Sequence, residues 1–249
     1  MINATENLWR DEFRQLTVDF EGRQAILVFP KESSRTPHWA LKNEYFSAFQ
    51  DFEYELVKRG FHLAFLTNKS RWIKDDDLAA KYRFSKYLSE EFGLDEKCVE
   101  VGMSCGGLHA IKQAATYPQM ISAMFLDAPV VNLLSCPFGF GNKRTLSDEV
   151  KQEALTAMNM TVSDIIAYRD HPLDRIPDLI KYEIPLLLVC GGEDLSVPFE
   201  ENGIYLKNAY ENSNVPFKFI FYKERGHHPH GPNALDMESA IEFILKERK

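Results

Sequence analysis

The sequence predicts an α/β fold in which helices cover both faces of a mostly parallel β-sheet. Short apolar runs typical of buried strands alternate along the chain with longer amphipathic stretches typical of helices. Neither an internal repeat nor a low-complexity linker interrupts this alternation, and 249 residues suffice for one such domain. We therefore interpret residues 1–249 as a single domain.

Apolar runs bounded by turn-forming residues predict the strands. Gly22 follows the first run and Pro30 follows the second, and both residue types favour a turn. In chain order, the predicted strands cover residues 13–20, 25–29, 62–67, 97–103, 121–126, 184–190 and 217–222.

The segments between these runs predict helices. Asp75, Asp76 and Asp77 stand where a helix N-terminus favours negative charge, and Gly60 stands where a helix can end. In chain order, the predicted helices cover residues 41–58, 75–91, 108–115, 199–212 and 235–246.

Residues 131–182 interrupt the alternation because they contain no strand-like run. They open with a segment rich in proline, glycine and phenylalanine at 136–141 and continue as short helices. An insertion at this point would lie over the carboxyl ends of the strands, where open α/β sheets bind ligands. We predict a helical cap or lid, with extra helices packed at the edge of the domain as the alternative.

Composition and charge limit the partners. The net charge of −8 argues against nucleic acid and anionic membranes, because both attract basic surfaces. No apolar stretch approaches the roughly 18 residues of a membrane span, and the first residues do not resemble a signal peptide. The four cysteines lack the close spacing of a metal site. We expect a cytoplasmic protein without metal or cofactor, with a homodimer as one option for its assembly.

Residues 102–106 form a G-x-S-x-G pentapeptide with Ser104 at its centre, between a predicted strand and a predicted helix. This arrangement holds a serine hydroxyl exposed above a sheet as a nucleophile. Gly102 and Gly106 suit the turn, since side chains there would crowd the strand and the helix. The alternative is a glycine-rich turn that binds an anion, although the Lys-Ser/Thr pair of a nucleotide P-loop does not follow.

A serine nucleophile needs a positioned base, which is usually a histidine. Residues 226–230 read Gly-His-His-Pro-His and follow the last predicted strand. We predict His227 as the base, His228 as its competitor and His230 as a support of the loop. A metal site is the alternative for these histidines, but no cysteine or paired-acid pattern accompanies them.

The histidine in turn needs an acid that orients its ring. Asp194 lies in the loop just beyond the strand predicted at 184–190 and its two glycines, so we expect its carboxylate at the same edge of the sheet as Ser104. Two other acids are weaker candidates. Glu193 is the neighbour of Asp194, and Asp127 ends the strand predicted at 121–126.

The serine–acid–histidine order of these three residues occurs in one of the architectures that carry such a triad. Together with the patterns at 102–106, 191–198 and 226–230, it resembles the α/β-hydrolase superfamily over nearly the whole chain. The last two patterns also resemble prolyl-oligopeptidase-like esterases and peptidases. The resemblance implies an α/β-hydrolase fold with a mostly parallel, eight-stranded sheet and a catalytic triad of Ser104, His227 and Asp194.

The sequence departs from this superfamily where the oxyanion loop should begin. Many members carry His-Gly after their third strand, whereas Phe29, Pro30 and Lys31 occupy that place here. Pro30 has no N–H to donate. The resemblance therefore implies the backbone N–H groups of Cys105 and Lys31 as the oxyanion donors. Because one donor contributes about 3 kcal/mol to the transition state, a poorly formed loop would leave weak activity.

These residues predict a serine hydrolase that cleaves a small-molecule carboxylic ester through an acyl-enzyme, as a carboxylesterase does. Thioesters and amides suit the same triad, so a thioesterase and a small peptidase are alternatives. A peptidase is disfavoured because the sequence shows no separate gating domain. The altered oxyanion loop also leaves open a non-catalytic binding protein with the same fold.

Overall fold

The computed structural model describes residues 4–141 and 146–249. Nine strands join in a single sheet in this part of the chain. In chain order they are β1 (Thr5–Trp9), β2 (Phe13–Phe20), β3 (Arg23–Val28), β4 (Trp39–Lys42), β5 (His62–Leu66), β6 (Cys98–Met103), β7 (Ile121–Asp127), β8 (Leu186–Gly191) and β9 (Phe217–Tyr222).

The α-helices of the described residues follow most of these strands. In chain order they are α1 (Asp51–Lys58), α2 (Asp75–Phe92), α3 (Cys105–Thr116), α4 (Asp148–Met158), α5 (Val162–Ala167), α6 (Ile176–Lys181), α7 (Gly203–Glu211) and α8 (Met237–Glu247). None of the helices in 4–141 and 146–249 combines the length and apolar character needed to cross a membrane.

The sheet is mostly parallel, as the sequence predicts, and this prediction is confirmed. Its spatial order is β1-β2-β3-β5-β4-β6-β7-β8-β9. The pairs from β1 through β3 to β5 are antiparallel, and every pair from β5 onward is parallel. The carboxyl ends of β4, β6, β7 and β8 therefore lie next to one another at one edge of the sheet. The described residues form nine strands and not the eight that the resemblance implies.

Helices cover both faces of the sheet, which confirms the predicted layering. Residues of α2, α3, α6 and α7 pack with one set of strand side chains in the largest apolar cluster. Residues of α1 and α8 pack with the alternate strand side chains in a second cluster. This alternation follows from the two-residue period of a strand, which points successive side chains to opposite faces.

β4 is one of two strands that the sequence did not predict. It lies partly within the helix predicted at 41–58, and that prediction is wrong at its start because α1 begins only at Asp51. Four residues are too few to reveal a period. Lys42 also argues against a buried strand, because lysine is usually exposed. In the structure its side chain is buried, and its Nζ pairs with Glu53 Oε1 at 2.7 Å. The missed edge strand β1 is mostly exposed and polar.

The predicted cap at 131–182 contains two groups of helices with different surroundings. Ala154 of α4 and Ile165 of α5 pack in a third apolar cluster with Cys105 and Leu108 of α3. By contrast, α6 contributes to the largest cluster on the sheet. Residues 142–145 of the predicted cap lie outside the described residues. The role of this segment as a cap stays a prediction.

Candidate active site

Ser104 occupies a sharp turn between β6 and α3. Its backbone has φ 51° and ψ −121°, a conformation that residues with a side chain rarely adopt. Three hydrogen bonds hold the turn: the Ser104 N–H donates to the Asp127 carbonyl, and the Ser104 carbonyl accepts from Gly107 and Val130, each at 3.0 Å. These hydrogen bonds to neighbouring segments hold Ser104 in its strained conformation, as a nucleophile elbow requires.

Close backbone contacts explain the glycines of the pentapeptide. A Cβ atom on Gly102 would lie 2.6 Å from the Gly106 carbonyl oxygen, which is closer than real Cβ contacts. A Cβ atom on Gly106 would lie 3.3 Å from both the N and the Cβ of Glu44. The glycines thus let α3 pack against β6 and against the loop that follows β4.

The strain at Ser104 leads to a prediction about stability. Ser104→Gly should raise the free energy of unfolding by about 1 kcal/mol over Ser104→Ala, because glycine relieves the cost of a positive φ. The greater freedom of glycine in the unfolded chain offsets part of this gain. Chemical denaturation of both variants measures the difference. A glycine variant less stable than the alanine variant would contradict the strained geometry.

His227 links Ser104 to Asp194. Its Nε2 lies 3.1 Å from Ser104 Oγ, and its Nδ1 lies 2.7 Å from Asp194 Oδ2. A carboxylate only accepts hydrogen bonds, so Nδ1 carries the proton and Nε2 is free to accept the serine proton. The other carboxylate oxygen of Asp194 accepts the N–H groups of Ser196 and Val197, each at 2.8 Å. The structure thus brings together the three residues that the sequence selects.

The competing histidines have other surroundings. His228 stacks on the ring of Phe49, with centroids 5.4 Å apart and planes 13° from parallel. The Nδ1 of His230 lies 3.3 Å from Asp127 Oδ1, and both side chains are buried. Within 4–141 and 146–249, no group of three or more His, Cys, Asp or Glu residues could hold a metal ion.

The Asp127 carboxylate lies beside the loop that carries the histidines, where it accepts hydrogen bonds from Arg225 and from the backbone of that loop. Arg225 Nη2 donates to Asp127 Oδ1 at 2.8 Å, and the Gly231 N–H donates to Asp127 Oδ2. Arg225 Nη1 also donates to the Gly231 carbonyl at 2.9 Å. Asp127 therefore anchors the loop that carries His227, whereas Asp194 faces the ring itself. Glu193, the remaining acid candidate, is exposed.

Cys105 is the first residue of α3, where the N–H groups of a helix have no partner within the helix. Its backbone N–H therefore suits the oxyanion donor that the sequence suggests. Burial raises the pKa of the Cys105 thiol to about 11, so the sulfur stays protonated at neutral pH. The thiol is thus a poor rival to Ser104 as a nucleophile.

The structure places Lys31 away from Ser104. Lys31 follows β3, and its Nζ pairs with Glu12 Oε1 at 2.5 Å on the protein surface. The strand beside β6 is β4, so the loop next to the nucleophile is the one after β4. Lys31 follows the third strand, as the resemblance implies for the oxyanion loop, but β5 and β4 lie between that strand and β6.

Tyr45, in the loop after β4, is the residue near Ser104 that sequence reasoning missed. It lines the same cavity as Ser104, and its hydroxyl interacts with the Cys105 thiol and the Arg71 guanidinium. Burial raises the pKa of Tyr45 well above its usual range, so the hydroxyl keeps its proton. The loop that carries Tyr45 follows a strand of four residues, which is too short for the sequence pattern to reveal.

A cavity of about 370 Å³ adjoins Ser104. Apolar side chains from the segment at 146–150 form part of its wall, and aromatic and cationic groups form another part. Among the described residues, its lining includes Leu146, Val150, Phe49, Arg71, Ser104 and His227. The arrangement can hold a small acyl compound with its carbonyl between Ser104 Oγ and the Cys105 N–H.

Two curated relatives share sequence similarity with most of the chain. Acylamino-acid-releasing enzyme from Mus musculus is 25% identical over 236 residues, which cover 84% of this chain and 31% of that protein. The enzyme of the same name from Rattus norvegicus is 24% identical over 77% of this chain and 28% of its own length. The chain thus spans about a third of the length of these relatives. No protein-family model matches it.

Solved structures share the fold. An acylaminoacyl peptidase from Pyrococcus horikoshii is 14% identical, with a TM-score of 0.67 over 100% of this chain and 42% of that one. S-formylglutathione hydrolase from Agrobacterium tumefaciens is 13% identical, with a TM-score of 0.66 over 100% and 99% of the two chains. Acetyl xylan esterase 1 from a Thermoanaerobacterium species is 15% identical, with a TM-score of 0.65 over 100% and 88%.

Proposed function

We propose that the chain, which shares the α/β-hydrolase fold, is a serine hydrolase that cleaves an acyl bond through a covalent acyl-enzyme. The observation that carries this proposal is the continuous hydrogen-bonded chain from Ser104 through His227 to Asp194. The strained turn at Ser104 supports the same role.

In the proposed reaction, Ser104 Oγ attacks the substrate carbonyl carbon while His227 Nε2 takes the serine proton. Asp194 keeps the proton on Nδ1 and stabilises the imidazolium that forms. The tetrahedral intermediate collapses when Nε2 passes its proton to the leaving group. A water molecule then attacks the acyl-enzyme, with His227 again as the base, and releases the acid and free Ser104.

The proposed oxyanion donors are the Cys105 N–H and the Tyr45 hydroxyl. The Tyr45 N–H faces the Glu44 carboxylate, so the side chain is the available donor of this residue. A hydroxyl that stays protonated can stabilise the negative oxygen that develops in the transition state. Tyr45 thereby replaces the backbone of Lys31 in the proposed mechanism.

The proposed substrate is a carboxylic ester with a small acyl group. Activated esters need less oxyanion stabilisation than amides, and a cavity of about 370 Å³ suits a small compound. A second candidate is the amide bond on the carboxyl side of an N-acylated amino acid residue, which the sequence similarity to acylamino-acid-releasing enzymes favours.

A fluorophosphonate probe and a substrate panel test this function. We expect one fluorophosphonate group per chain, located on Ser104 by peptide mass mapping. The panel contains p-nitrophenyl esters of increasing chain length, acetylated sugars, aryl esters and N-acetyl-amino-acid p-nitroanilides. Preference for the anilides would favour the second candidate, and folded protein that neither labels nor turns over substrate would favour a non-catalytic binding protein.

Tyr45→Phe tests the second oxyanion donor. The variant should lower kcat by about 100-fold with little change in KM, because the lost hydrogen bond forms chiefly in the transition state. Steady-state kinetics on the best ester of the panel measure both constants. Tyr54→Phe is the matched control, since the Tyr54 hydroxyl donates to Glu12 at 2.7 Å, away from the cavity. Equal kcat in the two variants would exclude Tyr45 as a donor.

A further inference from the structure

A cluster of polar side chains lies in the protein interior next to the loop after β4. It contains Asn43, Lys81 of α2, Glu100 of β6 and His109 of α3, each 0% exposed. The reaction described above uses none of them. Burial of charged groups costs free energy even when they are paired, so apolar side chains of similar volume would serve stability as well. The cluster therefore needs another explanation.

Asn43 connects the two charged groups of this cluster. Lys81 Nζ donates to Asn43 Oδ1 at 2.7 Å, and Asn43 Nδ2 donates to the Glu100 carboxylate. Lys81 Nζ also lies 3.4 Å from His109 Nδ1, and His109 Nε2 donates to the Ser70 carbonyl at 3.0 Å. Burial raises the pKa of Glu100 and lowers that of Lys81. We call Lys81, Asn43 and Glu100 the buried bridge.

The buried bridge ends at the loop that carries the proposed oxyanion donor. The Asn43 N–H donates to the Val101 carbonyl at 3.0 Å, which ties the start of the loop to β6. Asn68 Nδ2 donates to the Asn43 carbonyl and to Glu44 Oε1, each at 2.6 Å. Tyr45 comes two residues after Asn43. Its position in the cavity therefore depends on how firmly Asn43 is held.

We propose that the buried bridge positions the Tyr45 hydroxyl, so that Lys81 and Glu100 act on the reaction through Asn43. This inference rests on the proposed function. Hydrogen bonds to charged groups are about twice as strong as neutral ones, and they are directional. They fix the amide plane of Asn43 in a way that apolar packing does not. An oxyanion donor works only when it is held where charge develops.

Lys81→Met tests the positioning role. It should lower kcat about tenfold and leave KM within about twofold, because a displaced donor weakens transition-state binding more than substrate binding. Lys112→Met is the matched control. Lys112 is also buried, at 2% exposure, but its ammonium group pairs with Asp170 away from the oxyanion loop. We expect the control to keep the wild-type kcat.

A double-mutant cycle separates positioning from general destabilisation. If the bridge acts through Tyr45, Lys81→Met lowers kcat by less than about twofold in protein that already carries Tyr45→Phe. The proposal is overturned if Lys81→Met lowers kcat by the same factor in wild-type protein and in the Tyr45→Phe variant. It is also overturned if Lys81→Met alone leaves kcat unchanged. Should Lys81→Met not fold, Lys81→Met/Glu100→Gln takes its place in the cycle, because it leaves no uncompensated buried charge.

Fluorophosphonate labelling of Ser104 in wild-type protein distinguishes a failure of the positioning role from a failure of the proposed function. Wild-type protein that neither reacts with fluorophosphonate nor hydrolyses an ester overturns the proposed function, and the positioning role with it. Wild-type protein that is active but shows independent effects in the cycle overturns the positioning role alone.

Discussion

Ser104→Ala is expected to lower kcat for every hydrolysed ester by at least about 10⁴-fold and to abolish fluorophosphonate labelling. The variant lacks the oxygen that forms the acyl-enzyme, so only substrate binding and the oxyanion donors remain. Its fold should persist, because alanine keeps the Cβ atom and the backbone hydrogen bonds of the turn. Turnover kinetics and intact-protein mass spectrometry measure the two effects.

Ser85→Ala is the matched control for this loss. Ser85 is buried on α2, and its hydroxyl donates to the Tyr82 carbonyl at 2.8 Å. The control removes the same atom from a helix that does not carry the nucleophile, so labelling and kcat should match the wild type. Undiminished turnover in Ser104→Ala would place the nucleophile elsewhere and reject the proposed mechanism.

Asp194→Asn should lower kcat by about 10⁴-fold with little change in KM. An asparagine amide in this position can donate to His227 Nδ1 and so favour the tautomer that carries its proton on Nε2. That tautomer cannot accept the serine proton. Steady-state kinetics on the same ester measure the loss, and thermal unfolding shows whether the protein keeps its fold.

Asp127→Asn is the comparison that distinguishes the two acids. Asp127 pairs with Arg225, and both side chains are largely buried. Loss of this charge should lower the free energy of unfolding by about 3 kcal/mol, since it leaves the guanidinium without its anion. The fall in kcat should be much smaller than for Asp194→Asn. A larger kcat loss at position 127 than at 194 would transfer the role of orienting acid to Asp127.

Much of the fold could be predicted from the sequence, and the α/β-hydrolase fold class is confirmed. Its parallel strands are buried on both faces and read as short apolar runs, which local pattern reveals. The residues of the candidate triad also came from local signals. Ser104, Asp194 and His227 each follow a strand, so parallel pairing alone carries them to one edge of the sheet.

The oxyanion loop could not be predicted in the same way. β4 is four residues long and ends in the buried charge of Lys42, which a local pattern assigns to a helix surface. The resemblance implies the loop after the third strand, which points to Lys31, whereas the strand that pairs with β6 is β4 and the loop after it carries Tyr45. The buried bridge could not be predicted for a related reason, because charged residues such as Lys81 and Glu100 are rarely fully buried unless they have partners, and the partners come from distant parts of the chain.

The sequence by itself determined the strand-and-helix alternation, the strained turn at Ser104 and the loops that present Asp194 and His227. These features depend on residues close to one another along the chain. Only the tertiary structure decided that Asp194 and not Asp127 faces His227, and that the loop after β4 adjoins Ser104. Both outcomes depend on which strands are neighbours and which buried charges find partners, and these are contacts between distant parts of the chain.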